Sequence, residues 1–276
     1  MKLKEKIIGT KLSDNQTGIF YLGQVGFILK FRGKYILIDG YLSDYVDKNC
    51  RSELVKWERK YAPPIDAGEL DFVDYVFCTH AHSDHTDPYT LSAIAAVNKK
   101  AKFFASAAFC DDFEGYGVEK ENITGVMADE LYSLTDSISF TPVPAAHEQL
   151  HTDDDGNYCE LGFVFNFGKT KLFHSGDCCM YDGLAERVRG CDIMMLPING
   201  RDYYRTVLRN IIGCFDSVEA INLAKESGAS LLIPMHFDLY GVNEVNPAYF
   251  VDCLYKINPL QSFHIFMPGE RYIYAE

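Results

Sequence analysis

Long apolar runs and a basic charge balance are both lacking in this 276-residue chain. No stretch approaches the roughly 18 apolar residues of a membrane span, so we expect no membrane helix. Residues 1–9 hold three lysines but no apolar core and no cleavage site, so we expect no signal peptide. Since no Ser/Gly-rich linker divides the chain, we predict one domain over residues 1–276. Since we expect no signal peptide, we predict that this domain is cytoplasmic.

The shortage of basic residues bears on the partners. There are 26 Lys and Arg against 39 Asp and Glu, which gives a net charge of −13. An anionic surface is repelled by phosphate backbones and by anionic lipid, so neither nucleic acid nor a membrane is an expected partner. A local basic pocket would still admit a small anionic substrate. A homo-oligomer stays open, because the sequence does not determine the oligomeric state.

Regular cysteine spacings are also lacking. The nine cysteines are odd in number, and they form no framework and no Cys-x-x-Cys pair. We interpret them as reduced thiols of a cytosolic protein. Only Cys178 and Cys179, directly after Asp177, lie near the chemistry predicted below.

The predicted elements begin with strands and continue as strands interleaved with helices. One helix is predicted over residues 52–61, ending before Pro63. A second begins with Asp87 as the cap and Pro88 in the first turn, and a third covers residues 216–227. This order fits a sheet-rich sandwich with helices on its outer faces.

The strongest chemical signal is a cluster of three histidines and an aspartate within six positions. His80 and His82 lie two apart in extended chain, so their side chains point to one side and can share a metal ion. Asp84 and His85 follow on a turn and can reach a second position nearby. Burying so many polar groups is unfavourable unless they are paired. Imidazole suits zinc or iron, and carboxylates admit manganese.

Three later strands also end in metal-capable residues. His147 follows the strand that begins at residue 140, Asp177 follows a strand over residues 171–174, and His236 follows a strand over residues 231–234. Strand ends gather active sites, because a rigid scaffold holds the loops there.

This set of residues resembles the metallo-β-lactamase superfamily, whose first motif is HxHxDH, followed by a lone His, a lone Asp and a last His. The resemblance implies an α/β fold, a four-layered αββα sandwich with the metal ions at one edge of the paired sheets. It implies that one metal ion is held by His80, His82 and His147. It implies that a second is held by Asp84, His85 and His236, with Asp177 bridging the two.

Further segments resemble the branch of this superfamily that contains L-ascorbate-6-phosphate lactonase. They are residues 21–27, 38–44, 174–177, 196–202 and 234–238. The resemblance implies a hydrolase that acts on a small anionic lactone or ester, such as a phosphorylated sugar lactone. The cofactor is then one or two divalent metal ions, zinc or manganese.

The predicted mechanism uses a metal-activated water, because a bound metal ion lowers the pKa of water from about 15.7 to about 7. Asp84 and His236 are the predicted catalytic residues. Two alternatives remain open at this stage. One is a phosphodiesterase or nuclease on the same fold, and the other is a non-catalytic metal-binding module with a closed coordination sphere.

Substrate contacts are predicted in the loop after the strand that ends at Pro197. Arg201 has the planar fork that grips a phosphate or carboxylate, although a pairing of Arg201 with Asp202 on a solvated loop explains the charges equally well. Gln24 and Tyr41 are further candidates to face the site, and Asp238 is a candidate to orient His236. The predicted substrate-binding residues are Asn199, Arg201, Asp202 and Arg205.

Overall fold

The computed structural model describes residues 2–275, so Met1 and Glu276 of the predicted domain lie outside the described residues. The strands are β1 (Gln16–Gly23), β2 (Gly26–Phe31), β3 (Lys34–Ile38), β4 (Tyr75–Phe77), β5 (Lys102–Ser106), β6 (Ile123–Val126), β7 (Tyr132–Thr135), β8 (Ile138–Pro144), β9 (Leu161–Phe167), β10 (Thr170–His174), β11 (Ile193–Pro197), β12 (Leu231–Met235), β13 (Ser262–Phe263) and β14 (Arg271–Ala275). The α-helices are α1 (Leu3–Gly9), α2 (Tyr45–Asn49), α3 (Pro88–Val97), α4 (Asp112–Gly115), α5 (Leu184–Arg187), α6 (Ser217–Ser227) and α7 (Pro247–Ile257). Short 3-10 turns cover Ala67–Glu69, Lys120–Asn122 and Gly241–Asn243, and a π-helical turn covers Tyr204–Leu208.

The strands form two seven-stranded sheets with the same plan. The first has the order β14-β1-β2-β3-β4-β5-β6, and the second has the order β13-β12-β11-β10-β9-β8-β7. In the first sheet, the pairs from β14 to β3 are antiparallel and those from β3 to β6 are parallel. In the second, the pairs from β7 to β10 are antiparallel and those from β10 to β13 are parallel. The two sheets therefore share one pattern of strand pairing, although β14 joins the first sheet from the far end of the chain.

Alternation along the strands builds four layers. In β9, Phe163 and Phe165 face the core between the sheets, whereas Val164 faces the helices. In β4, Phe77 faces the same central core and Val76 packs on the side of α1 and α3. Successive side chains of a strand point to opposite faces, so each sheet buries both of its faces. This arrangement confirms the predicted αββα sandwich.

The helix caps follow the sequence signals. Asp87 accepts a hydrogen bond from the Tyr89 amide at the start of α3, with Pro88 in the first turn. Asp216 caps α6 and forms a capping box with Glu219. Within residues 2–275, no helix is long and apolar enough to cross a bilayer.

The predicted helix over residues 52–61 is wrong. This segment is irregular, and the short helix α2 precedes it. Arg59 forms an isolated antiparallel bridge with Tyr240, and its guanidinium lies over the Tyr41 ring. Tertiary contacts of this kind override helix propensity. β6 pairs with β5 in the first sheet, whereas β7 and β8, which follow β6 in the chain, lie in the second sheet.

Parallel strands direct their carboxyl ends to one edge. The residues that follow β3, β4, β10 and β12 therefore emerge on the same side, and β8 runs in the same direction as β10 because both are antiparallel to β9. The predicted metal ligands all lie on these loops.

Phe77 holds the central core together. Its ring stacks on Phe104 at 4.7 Å and meets Phe140, Phe163 and Phe165 edge-on at 4.8–5.1 Å. The substitution Phe77→Ala should lower the free energy of unfolding by about 3–5 kcal/mol, because it leaves a cavity between the sheets. Urea denaturation in excess chelator measures this without a contribution from bound metal.

Leu260→Ala is the control for this prediction, because Leu260 is 92% exposed. It should change the free energy of unfolding by no more than about 0.5 kcal/mol. Equal effects of the two substitutions would contradict the importance of the aromatic core.

Candidate metal centre

Three of the predicted ligands meet at one point between the loops after β4 and β8. His80 Nε2 lies 3.0 Å from His82 Nδ1, and His147 Nε2 lies 3.3 Å from the same nitrogen. All three ligand nitrogens are within 4.8 Å of one another. The structure thus brings together the residues that were predicted for the first metal position.

A second group lies beside the first. Asp84 Oδ2 is 3.9 Å from His85 Nε2 and 3.9 Å from His236 Nε2. These are the residues predicted for the second metal position, and their ligand atoms also lie within 4.8 Å of one another.

Asp177 lies between the two groups. Its Oδ2 is 3.3 Å from His236 Nε2, 3.4 Å from His85 Nε2 and 3.8 Å from His147 Nε2. One carboxylate oxygen thus faces imidazoles of both groups, which is where a bridging ligand has to be.

Two orphaned polar atoms test whether a metal ion fits. His85 Nε2 and Asp177 Oδ1 are buried and have no hydrogen-bond partner within residues 2–275. Leaving such atoms unsatisfied costs about 1–3 kcal/mol each. A divalent cation satisfies imidazole nitrogen and carboxylate oxygen together, so this donor set fits a metal ion.

The electrostatics hold His147 and Asp177 in their metal-binding forms. Burial lowers the pKa of His147 to about 4, which keeps its imidazole neutral. Burial alone would raise the pKa of Asp177, but the charges of His236 and His85 hold it well below its usual range. A neutral imidazole and an ionised carboxylate are the forms that bind metal. At His85 and His236, burial lowers the pKa but the charge of Asp177 outweighs it and raises the pKa, so a metal ion has to displace a proton from each of these rings.

Asp39 holds the His85 ring through the nitrogen that faces away from the other ligands, and no local sequence pattern indicates this role. Its Oδ2 lies 2.8 Å from His85 Nδ1, and the carboxylate also accepts from the Thr79 amide and hydroxyl at 2.8 and 2.7 Å. A carboxylate only accepts hydrogen bonds, so in the neutral ring of His85 it places the proton on Nδ1 and leaves Nε2 free for a metal. The one available signal was a carboxylate at the end of the apolar strand β3.

Close backbone packing explains a glycine in this layer. Gly176 has a φ of +59°, and a Cβ at this position would lie 2.7 Å from the Thr79 Cβ. A side chain at position 176 would therefore push Thr79 away from Asp39. The glycine lets the loop that carries Asp177 approach the loop that carries His80.

Gln24 joins the two predicted catalytic residues. Its Nε2 donates to Asp84 Oδ2 at 2.5 Å, and its carbonyl oxygen accepts from the His236 amide at 2.7 Å. Asp238 in turn accepts from the Gln24 amide at 3.2 Å, so Asp238 supports His236 through Gln24. The Tyr41 hydroxyl instead accepts a hydrogen bond from the Tyr240 hydroxyl at 2.9 Å.

Cys214 is the cysteine that reaches the centre, and the sequence pattern pointed to different ones. Its Sγ is within 4.8 Å of ligand atoms of His147 and Asp177. Cys178 and Cys179 form hydrogen bonds to backbone carbonyl oxygens instead. Gly213 and Phe215 flank Cys214 without any spacing signal, so only the three-dimensional contact shows it.

The four predicted substrate residues lie apart from the centre. Asn199, Arg201, Asp202 and Arg205 line a second cavity of about 300 Å³. The cavity that contains Asp84, His147 and His236 is a different one, of about 320 Å³.

Comparisons with known proteins agree with this fold. A model of the beta-lactamase superfamily domain matches residues 34–237. A UPF0173 metal-dependent hydrolase of Methanoculleus marisnigri is 30% identical over 60% of this chain and 67% of its own length. One of Caldivirga maquilingensis is 25% identical over 91% of this chain and 95% of its own length.

Solved structures show the same architecture. An isothiocyanate hydrolase from Delia radicum gut bacteria superposes with a TM-score of 0.74 at 16% identity, covering 94% of this chain and 100% of its own. The metallo hydrolase Igni18 of Ignicoccus hospitalis superposes with a TM-score of 0.68 at 19% identity, covering 95% and 99%.

The fold and the family matches define a metal-dependent hydrolase of the metallo-β-lactamase fold. Within that class, the chain belongs to the UPF0173 metal-dependent hydrolase family. The narrower resemblance to the lactonase branch stays a prediction.

The contact between Asp39 and His85 can be tested directly. Asp39→Asn should weaken metal affinity by about 10- to 100-fold, because the loss of an outer carboxylate misorients the ligand ring. Competition with a chromophoric chelator measures the affinity.

Asp87→Asn is the matched control, since Asp87 is also buried and caps α3, and asparagine caps a helix equally well. Its metal affinity should equal that of the wild type. Equal losses in both variants would contradict a specific role of Asp39.

Proposed function

We propose that this protein hydrolyses a small lactone or carboxylic ester, with zinc or manganese held by the two ligand groups. One observation carries the proposal: both groups converge on Asp177 at the wall of a cavity of about 320 Å³, a size that suits a small molecule. The resemblance of residues 196–202 and 234–238 to the lactonase branch supports a lactone or ester.

The residues named for the metal ions are those of the two groups. His80, His82 and His147 would hold one ion, Asp84, His85 and His236 would hold a second, and Asp177 would contact both. A divalent cation in this position supplies Lewis-acid chemistry, since it acidifies water to about pKa 7 and polarises a carbonyl oxygen.

Side chains of this protein would then position the attacking water and accept its proton. Asp84 lines the cavity and accepts a hydrogen bond from Gln24, so its carboxylate is held in position to orient the attacking water and to take its proton. His236 lines the same wall and is held by the Gln24 carbonyl oxygen. Water adds to the carbonyl carbon, the carbon–oxygen bond of the lactone or ester breaks, and the proton passes to the leaving alkoxide.

The anionic group predicted from the sequence is not part of this proposal. That prediction depended on Arg201 and Arg205. Arg201 donates to the Cys214 carbonyl oxygen at 2.8 Å and to Glu219 at 2.5 Å, and Arg205 donates to Asn243 at 3.0 Å. Both guanidinium groups are engaged by protein acceptors, and neither arginine lines the cavity of the centre.

The proposal is tested by lactone opening with purified protein. Dialysis against a strong chelator should abolish turnover, and added zinc or manganese should restore it, because the carbonyl then loses and regains its Lewis acid. The readout is the rate of acid release. Full activity after complete metal removal would overturn the proposal.

Loss of a residue that hydrogen-bonds a metal ligand costs about 10- to 100-fold in activity. Asp177→Asn should lower kcat/KM by more than this, since it removes the carboxylate charge that both ligand groups share. Asp182→Asn is the control, because Asp182 is exposed five positions later. It should retain wild-type kcat/KM, and an Asp177→Asn variant with wild-type activity would contradict the proposed centre.

A further inference from the structure

We propose that the non-reacting part of the substrate is an uncharged hydrocarbon group, received by an apolar wall of the cavity that contains the metal centre. This inference rests on the lactone or ester hydrolysis proposed above. The wall consists of Val46, Trp57, Ile211, Ile212 and Tyr240.

The wall comes from four separate parts of the chain, one of which is the segment after β12 that carries Tyr240. Val46 belongs to α2, Trp57 to the irregular segment before Pro63, and Ile211 and Ile212 to the loop after the π-helical turn. The same cavity is lined by His82, Asp84, His147, Asp177 and His236. A substrate whose carbonyl group lies at the metal centre would therefore place its remaining atoms in contact with the apolar side chains of the wall.

Tyr240 contributes a ring to this wall, with its polar end turned to other partners. Its hydroxyl donates to the Tyr41 hydroxyl at 2.9 Å and to Asp47 at 3.3 Å. Trp57 meets the Tyr240 ring at 5.1 Å with an interplanar angle of 68°. These contacts hold two aromatic faces as a rigid surface for an apolar group.

A phosphate or remote carboxylate would find no cation here. Among residues 2–275, those that line the cavity include no lysine and no arginine. The two arginines nearest in sequence do not line the cavity. Arg209 donates from Nη1 to the Leu54 carbonyl oxygen at 2.8 Å, with its buried Nε unpaired within residues 2–275, and Arg59 donates to the Tyr61 carbonyl oxygen at 3.3 Å. An ion buried against this wall would lose its hydration without a partner.

Three lactones with a six-membered ring separate charge from polarity: δ-octalactone, gluconolactone and gluconolactone 6-phosphate. With the metal-loaded enzyme, we expect kcat/KM for δ-octalactone to exceed that for gluconolactone 6-phosphate by at least about tenfold. Gluconolactone, uncharged but hydroxylated, should lie between them. The highest kcat/KM for the phosphorylated lactone would overturn the inference and leave the hydrolase function intact.

Binding can be measured without turnover, because Trp57 is the single tryptophan of the chain. In the Asp177→Asn variant, δ-octalactone should change the tryptophan fluorescence at a concentration at least about tenfold lower than gluconolactone 6-phosphate. If no lactone is opened, the function proposed above fails, and this titration still decides the inference. Tighter binding of the phosphorylated lactone would overturn it.

A charge placed in the wall should change the preference. Ile212 is 43% exposed, so Ile212→Lys can be made without disturbing the core. It should raise kcat/KM for gluconolactone 6-phosphate relative to δ-octalactone by at least about tenfold, since it supplies the missing cation. Ile8→Lys is the matched control at 45% exposure in α1, and it should leave the ratio unchanged. An unchanged ratio in Ile212→Lys would contradict the placement of the substrate in this cavity.

Discussion

One carboxylate oxygen organises this protein. Asp177 Oδ2 faces His85, His147 and His236 at 3.3–3.8 Å in a buried site. Without a cation, so dense a group of polar atoms is costly to bury, and three of its atoms, His85 Nε2, His147 Nδ1 and Asp177 Oδ1, lack a hydrogen-bond partner within residues 2–275. Residues next to the site make this dense packing of polar groups possible. Gly176 lets its loop pack against Thr79, and Asp39 takes up the far nitrogen of His85.

The repeated sheet plan explains why the ligands come from distant parts of the chain. The first sheet supplies the loop with His80 and His85, and the second supplies the loops with His147, Asp177 and His236. Neither half holds a complete ligand group by itself, so a metal ion at this edge would join the two sheets. Metal binding is then linked to the stability of the sandwich, because any ligand that binds only the folded state stabilises it.

The features that could be predicted from the sequence are those with a local pattern of residues. The spacing from His80 to His85, the caps at Asp87 and Asp216, and the metal-capable strand ends all depend on neighbours in the chain. Asp39, Gln24 and Cys214 depend on contacts across 37 residues or more, and no local spacing records such contacts. The predicted helix over residues 52–61 failed for a related reason, since its bridge to Tyr240 is a distant contact. Arg201 was a sound candidate for an anion site until its partners Glu219 and Cys214 were known.

The arginines of the loop after β11 serve the cavity in an indirect way. Arg205 is buried, and it donates to the Asn243 side chain, which lines the cavity of the centre. The Asn243 side-chain oxygen also accepts a hydrogen bond from the Asn199 side-chain amide at 3.4 Å. The sequence predicted these residues as substrate contacts, whereas in the structure Asn199 and Arg205 contact Asn243 and line a different cavity. A cation fully engaged by protein oxygens cannot also neutralise a ligand, because its donors are already used. The same hydrogen bonds that keep Asn243 in position therefore also keep the positive charge of Arg205 out of the cavity, and this supports the proposal of an uncharged substrate.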